Sequence, residues 1–198
     1  MIGSDYGEFL AVYPRVGGAA TRMKDADFIV LVGLMGAGKT SLGKRLAKEL
    51  RLPFVDTDTE IEKAANMTIP EIFEKLGEAE FRAGERRVIA RVLEGKPCII
   101  ATGGGAFMDP DTRALIAQRA VSIWLRADLD TLVRRTKRRD DRPLLKAGDP
   151  REVLRRLMQE RYPIYGEADI TLDVDDDPPK EMVVRLMSAI EDRQAAAQ

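Results

Sequence analysis

Residues Gly33-Leu34-Met35-Gly36-Ala37-Gly38-Lys39-Thr40 satisfy G-x-x-x-x-G-K-[ST], a spacing that lets backbone wrap a polyphosphate. The glycines allow the chain to curl until successive N–H groups converge on phosphate oxygens. Lys39 would reach the β- and γ-phosphates, and the Thr40 hydroxyl would take one Mg²⁺ position. A helix opening near Lys39 would add its positive N-terminal end to the same place. The expected nucleotide contacts are therefore Gly36, Ala37, Gly38, Lys39, Thr40 and Ser41. A tight strand–helix turn without a ligand is the bland alternative. Against it, an apolar run precedes the motif, and Leu42, Leu46 and Leu50 follow at helical spacing.

The second chemical cluster is Asp56-Thr57-Asp58, after the apolar pair Phe54-Val55. Two acids two residues apart at a strand's carboxyl end would point to one side. In a parallel sheet that edge is where ligands bind. Two anions there repel unless cations or protons intervene. A Mg²⁺ near Asp56 and an acceptor hydroxyl at Asp58 would resolve the conflict; Asp58 could instead simply cap the next helix. Gly103-Gly104-Gly105 follows the third apolar run. Three glycines disfavour regular structure and bare their N–H groups, either for close approach of a substrate or as a plain flexible turn.

What is missing narrows the chemistry. The 198 residues contain no histidine, so any proton acceptor must be a carboxylate or a rarer group. GTPases of the usual type read their base with Asn-Lys-x-Asp, and the single asparagine here, Asn66, stands in Ala-Asn-Met. Many P-loop ATPases end the third strand with an acid, whereas Cys98-Ile99-Ile100-Ala101-Thr102 runs into glycines. The pattern suits a small-molecule kinase using ATP and Mg²⁺ better than a motor or a switch.

Around these residues the chain alternates two textures. Apolar runs at Phe28–Leu34, Pro53–Val55, Cys98–Thr102, Val121–Leu125 and Ile170–Val174 are too short for helices and rich in Val, Ile or Phe, as buried parallel strands are. Between them lie helix starts: a capping box at Thr68-Ile69-Pro70-Glu71, and Asp-Pro pairs at Asp109-Pro110, Asp149-Pro150 and Asp177-Pro178. Gly95 closes the helical region ending at Glu94. The expectation is a single α/β domain over 27–192, three-layered, with a five-stranded parallel sheet covered by helices. Residues 1–26 lack periodicity and read as a disordered extension, and 193–198 as a frayed tail.

A net charge of −1 argues against nucleic acid, and no apolar stretch approaches the roughly 20 residues of a membrane span. A lone cysteine, Cys98, in an apolar run reads as a buried structural thiol. With no export signal, the expected compartment is the cytoplasm. Between Arg126 and Arg161 there are 12 Lys/Arg against 7 Asp/Glu, either a solvated helical face or a mobile basic segment over phosphates.

The ordered set GLMGAGKT, FVDTD, EFR (Glu80 to Arg82), TGGGA, DRPLL (Asp141 to Leu145) and RYPIY (Arg161 to Tyr165) resembles shikimate kinase across roughly residues 28 to 175. The phosphate loop alone is shared by many enzymes; DTD, EFR, GGG and RPLL together are much more selective. The resemblance implies a P-loop kinase fold with a mobile lid at 137–148, and ATP-dependent transfer to the 3-hydroxyl of shikimate on the route to chorismate and the aromatic amino acids. It implies catalysis by Asp58, Lys39 and Arg142, with Asp58 at the acceptor hydroxyl, Asp56 acting through Mg²⁺ with Thr40, and Arg142 reaching the phosphates from the lid. Arg82 and Arg161 would hold the shikimate carboxylate beside the backbone of Gly103, Gly104 and Gly105. Glu85 would orient Arg82, and Arg135 would flank the adenine. Either arginine could instead be a surface ion-pair partner. The expected partner is the small molecule alone, without nucleic acid or membrane, on a monomer. One departure falls on the base side: many members carry a basic residue shortly before a proline there, and this chain has Asp175-Asp176-Asp177-Pro178. The competing readings are another small-molecule kinase, such as a gluconate kinase, and a kinase-like regulator without catalysis. The intact Lys39, Thr40, Asp56, Asp58 and Arg142 weigh against the second.

Overall fold

The computed structural model describes residues 28–137 and 149–196. The extension read at 1–26, the expected lid beyond Lys137, and with it Arg142, lie outside the described residues.

Five strands alternate with helices: β1 (Phe28–Val32), α1 (Lys39–Leu50), β2 (Phe54–Asp56), α2 (Thr57–Ala65), α3 (Ile69–Lys75), α4 (Gly77–Leu93), β3 (Ile99–Ala101), α5 (Pro110–Arg119), β4 (Ala120–Ala127), α6 (Leu129–Thr136), α7 (Pro150–Tyr165), β5 (Ile170–Val174) and α8 (Pro179–Ala196). The strands form one parallel sheet in the order β2-β3-β1-β4-β5. Ile29 pairs with Ile99 on one side and with Val121 on the other. All five residues of β1 are buried. Successive strand side chains face opposite ways, so both faces of the sheet are covered and the expected three-layer architecture is present. Neighbouring strands β1 and β3 send their connections in opposite directions across the sheet, β1 to β2 and β3 to β4. The loops leaving their carboxyl ends are the phosphate loop and the three glycines, so topology alone brings the two motifs together.

Most local signals act where the sequence puts them. Thr68 and Glu71 form the reciprocal capping box of α3, and Asp109 and Asp149 cap α5 and α7 ahead of their prolines. Three details differ. The helical region from Thr68 is broken at Leu76, because Gly77 takes φ 83° and redirects the chain into α4. The last helix starts at Pro179, one residue beyond the Asp177-Pro178 signal, with the Pro178 carbonyl receiving its first N–H groups. That helix continues to Ala196, past the point where fraying was expected, and Arg193 in it is tied to Asp169 at 2.5 Å.

The connection from β2 to β3 builds a small subdomain. Ile61, Ile72, Phe81 and Val88 make their own apolar cluster where α2, α3 and α4 meet. This cluster fixes the angle of α4 against α2, which decides where Arg82, Glu85 and Asp58 stand.

Candidate active site

The phosphate loop joins β1 to α1 with Gly33, Gly36 and Gly38 at φ 136°, 86° and 98°, values that L side chains rarely adopt. A Cβ on Gly36 would also stand 3.0 Å from Thr136 Cγ2 and 3.2 Å from the Leu132 carbonyl oxygen. The curl is therefore enforced both by backbone and by the packing of α6. Lys39, the first residue of α1, donates from Nζ to the carbonyls of Gly33 (2.7 Å) and Leu34 (3.1 Å), which holds its ammonium over the loop. No acid sits in the first turn of α1 to neutralise its positive end, and Ser41 is exposed there.

The Thr40 hydroxyl donates to Asp56 Oδ2 at 2.9 Å. Asp56 Oδ1 accepts the Asp58 N–H at 3.2 Å and thereby caps α2. The capping role considered for Asp58 thus belongs to Asp56. Strand alternation is also not what orients Asp58, because β2 ends at Asp56 and Asp58 lies in the first turn of α2. The result is a division: Asp56 turns to Thr40, Asp58 to the glycines after β3. Among the described residues no cluster of three or more acids, cysteines or histidines could cage a metal. One hydroxyl and one carboxylate are what Mg²⁺ needs from a protein when phosphates and waters supply the rest, so Thr40 and Asp56 fit that ion.

The three glycines form the second half. Gly103 N–H donates to the fully buried Thr57 hydroxyl at 3.2 Å. A Cβ on Gly103 would stand 2.6 Å from Glu85 Oε1 and 2.7 Å from Asp58 Oδ1, and one on Gly105 would stand 2.6 Å from Arg82 Cζ. The Gly104 carbonyl accepts from Arg161 Nη1 at 2.8 Å and from the Tyr165 hydroxyl. A Cβ on Gly104 would stand 3.6 Å from the Gly33 carbonyl oxygen, so this cradle abuts the phosphate loop. Asp58 from α2, Arg82 and Glu85 from α4 and Arg161 from α7 therefore meet on one bare stretch of backbone.

Electrostatics bind these groups together. Arg82 donates to Glu85 (2.8 Å) and to Glu78 (3.2 Å) on its two sides. Burial works against its charge, but the two acids outweigh it and hold the guanidinium above its usual pKa. Glu85 is 2% exposed. Its burial, reinforced by Asp58, outweighs Arg82 and Arg161 and pushes its carboxyl above the ordinary range. Tyr165, fully buried, was not among the residues expected in the site; its place four residues after Arg161 puts both on one face of α7 and was the available signal. Thr57 and Glu78 carried no such signal.

The acidic departure on the base side has a structural partner. Arg135 in α6 places Nη1 4.0 Å from the Cβ position of Gly38 and donates from Nη2 to the Asp175 carbonyl at 2.6 Å. Arg134 pairs with Asp176, and Arg185 with Asp175 and Asp177 at 2.9 Å each. The three aspartates are thus clamped by three arginines beside the phosphate loop. A separate hollow of about 360 Å³, lined by Ile61, Ile72, Phe81 and Val88, contains none of the site groups and is the outer seam of the small subdomain.

The family model for shikimate kinase matches residues 35–191. The chain belongs to the shikimate kinase family. A shikimate kinase from Paramagnetospirillum magneticum is 57% identical over 162 residues, covering 82% of this chain and 83% of its own. The solved shikimate kinase of Acinetobacter baumannii in complex with shikimate superposes with a TM-score of 0.81 at 37% identity, over 84% of this chain and 93% of that one. A gluconokinase from Sinorhizobium meliloti superposes at 0.51 with 16% identity over 84% of this chain and 93% of that one, a likeness of fold alone. As a member of the shikimate kinase family the chain is an enzyme, a kinase that uses ATP with Mg²⁺. The five-stranded parallel α/β architecture is the one shared with the solved members.

Proposed function

We propose that this chain phosphorylates the 3-hydroxyl of shikimate with ATP, and that the two halves of the site divide the work. The observation that carries this reading is the cradle of Gly103–Gly105, which gathers Asp58, Arg82 and Arg161 against the phosphate loop. Arg82 and Arg161 turn guanidinium groups to the acceptor's carboxylate, to which their remaining N–H groups donate charge-assisted hydrogen bonds. The glycine backbone beside them leaves room for the ring. With the carboxylate fixed, Asp58 takes the 3-hydroxyl, orients it and accepts its proton as the new O–P bond forms and the bond to the ADP oxygen breaks.

The loop from Gly36 to Ser41 receives the phosphates, and Lys39 exchanges its carbonyl partners for phosphate oxygens whose charge it offsets. Thr40 and Asp56 would hold Mg²⁺, which when bound supplies further neutralisation of that charge. Arg135, pinned beside Gly38, flanks the nucleotide's base. We take the enzyme to act as a monomer on its small-molecule substrates. Among the described residues no helix is long and apolar enough to cross a membrane. Burial raises the Cys98 thiol to about 11, the behaviour of an inert core residue, which suits the reducing cytoplasm where we place the enzyme.

A coupled assay of ADP release tests the assignment. With Mg·ATP, shikimate should stimulate release far above the acceptor-free rate, and gluconate should not. Equal rates with and without shikimate would overturn it.

A further inference from the structure

Resting on the reading of Arg82 and Arg161 as the carboxylate clamp, the geometry points to a role for Glu85 beyond holding an arginine. We propose that Glu85 takes up a proton from solvent when an acceptor carboxylate settles on Arg82 and Arg161, so that binding of the acid is coupled to protonation of this side chain.

The case begins with an unequal carboxylate. Glu85 Oε2 accepts from Arg82 Nη1 at 2.8 Å. Its other oxygen, Oε1, is buried and among the described residues has no hydrogen-bond partner. That oxygen faces the acceptor cradle, since it lies 2.6 Å from where a Gly103 Cβ would stand. A buried carboxylate with one lone-pair side unused is a costly arrangement for a full negative charge. The charged and titratable groups facing it are Arg82 on its own helix, Asp58 on α2, and Arg161 and Tyr165 on α7. Glu78 acts on Arg82 from the other side and competes for its charge. Two cations thus offset Glu85, and both are the ones the acceptor needs.

A substrate carboxylate changes this balance in one direction. It draws on Arg82 and Arg161 and brings a third anion to a place already holding Asp58 and Glu85. Like charges at this distance favour protonation of the most buried member. A proton on Oε1 removes the repulsion and leaves Oε2 still able to accept from Arg82, so the clamp keeps its orientation. The carboxyl's rise already present without an acceptor works in the same direction. The coupling also favours acids of this shape only while protons are available, which makes acceptor affinity fall with rising pH.

Titration calorimetry of the full chain with shikimate, in buffers of different ionisation enthalpy between about pH 5 and 8, reads the proton directly. Uptake approaching one proton per shikimate is expected, with affinity falling by up to about tenfold per pH unit in the window where uptake occurs. Glu85→Gln keeps an oxygen for Arg82 but cannot titrate, and it should bind with no buffer dependence and a flat pH profile. A gain of the protonated-carboxyl stretch in the infrared difference spectrum on binding, absent from Glu85→Gln, identifies the group independently. Heat that does not depend on buffer in the parent protein overturns the proposal, as does uptake that survives in Glu85→Gln. Either result, obtained with shikimate bound and turned over, leaves the kinase reading intact; absence of any shikimate binding would instead remove that reading itself.

Discussion

The sequence marks Asp58 for a reason that is only partly right. Its proximity to Asp56 marked the pair, but the first turn of α2, not strand alternation, aims it at the glycines. Asp58→Asn keeps the size of the side chain and removes its charge and most of its proton affinity. Turnover should fall by about 10²–10⁴, the usual range for loss of a general base, while the KM for ATP barely moves. Arg161→Lys keeps the charge but loses the fork that donates to the Gly104 carbonyl and that the proposed clamp turns to the acceptor. Shikimate binding should weaken by about 1.5–3 kcal/mol, read from KM or calorimetry, with ATP binding unchanged. Near-normal turnover in the first variant, or parental affinity in the second, would show that these residues are misassigned. The phosphate loop was legible because its chemistry is local, eight consecutive residues wrapping one ligand. Tyr165 and Thr57 were not, because their partners in the cradle are 61 and 46 residues away and depend on sheet order.

At the scale of elements, the strand positions were readable from apolar runs, and their ends were not. The run Phe28–Leu34 yields a strand only to Val32, since Gly33 turns out of the ladder at φ 136° to begin the loop. The break between α3 and α4 was hidden in a continuous helical pattern, and only the left-handed Gly77 marks it. The glycines of the site now divide into two kinds with different expected failures. Gly36 has a positive φ and is walled by Thr136 and Leu132, so Gly36→Ala should cost about 1–3 kcal/mol of stability and weaken ATP binding together. Gly105 has an ordinary backbone, φ −99°, and its constraint is space. Gly105→Ala should press on the Arg82 guanidinium, raising the KM for shikimate several-fold while melting temperature and the KM for ATP stay close to parental values. A loss of ATP affinity in Gly105→Ala would mean that the two halves are coupled more tightly than their separate elements suggest.

Over the whole molecule, one carboxylate ties together parts distant from the chemistry. Asp169, at the turn from α7 into β5, accepts from the Ser122 N–H and hydroxyl, both at 2.8 Å, and from Arg193 at 2.5 Å. It thereby joins the start of β4 to the start of β5 and to α8, closing the end of the sheet opposite the site. Burial alone would raise its pKa, but the Ser122 hydrogen bonds and Arg193 outweigh burial and hold it below the ordinary 3.8. The folded state therefore favours the charged form. Its stabilisation is fully present above 3.8 and is lost as the pH falls through the lowered value. Glu85 has the opposite sign: its raised carboxyl favours the folded state below the ordinary 4.5 and loses that contribution as the pH rises through the raised value. The two effects occupy different windows and can be separated by substitution. Asp169→Ala should lower unfolding free energy at neutral pH by roughly 1–3 kcal/mol, because it strands the buried Ser122 N–H as well as removing the charge. Part of that deficit, the part due to charge, should shrink in acid, where the parent carboxylate is itself protonated; Asp169→Asn, which keeps an acceptor, should show mainly that part. Urea unfolding of the three proteins from neutral pH down into the acid range provides the comparison. Turnover with saturating substrates should be unchanged in both variants at neutral pH, since the tie lies at the other end of the sheet. A deficit in Asp169→Asn that stayed constant with pH would show that packing at this turn, and not the carboxylate's charge, holds β4, β5 and α8 together.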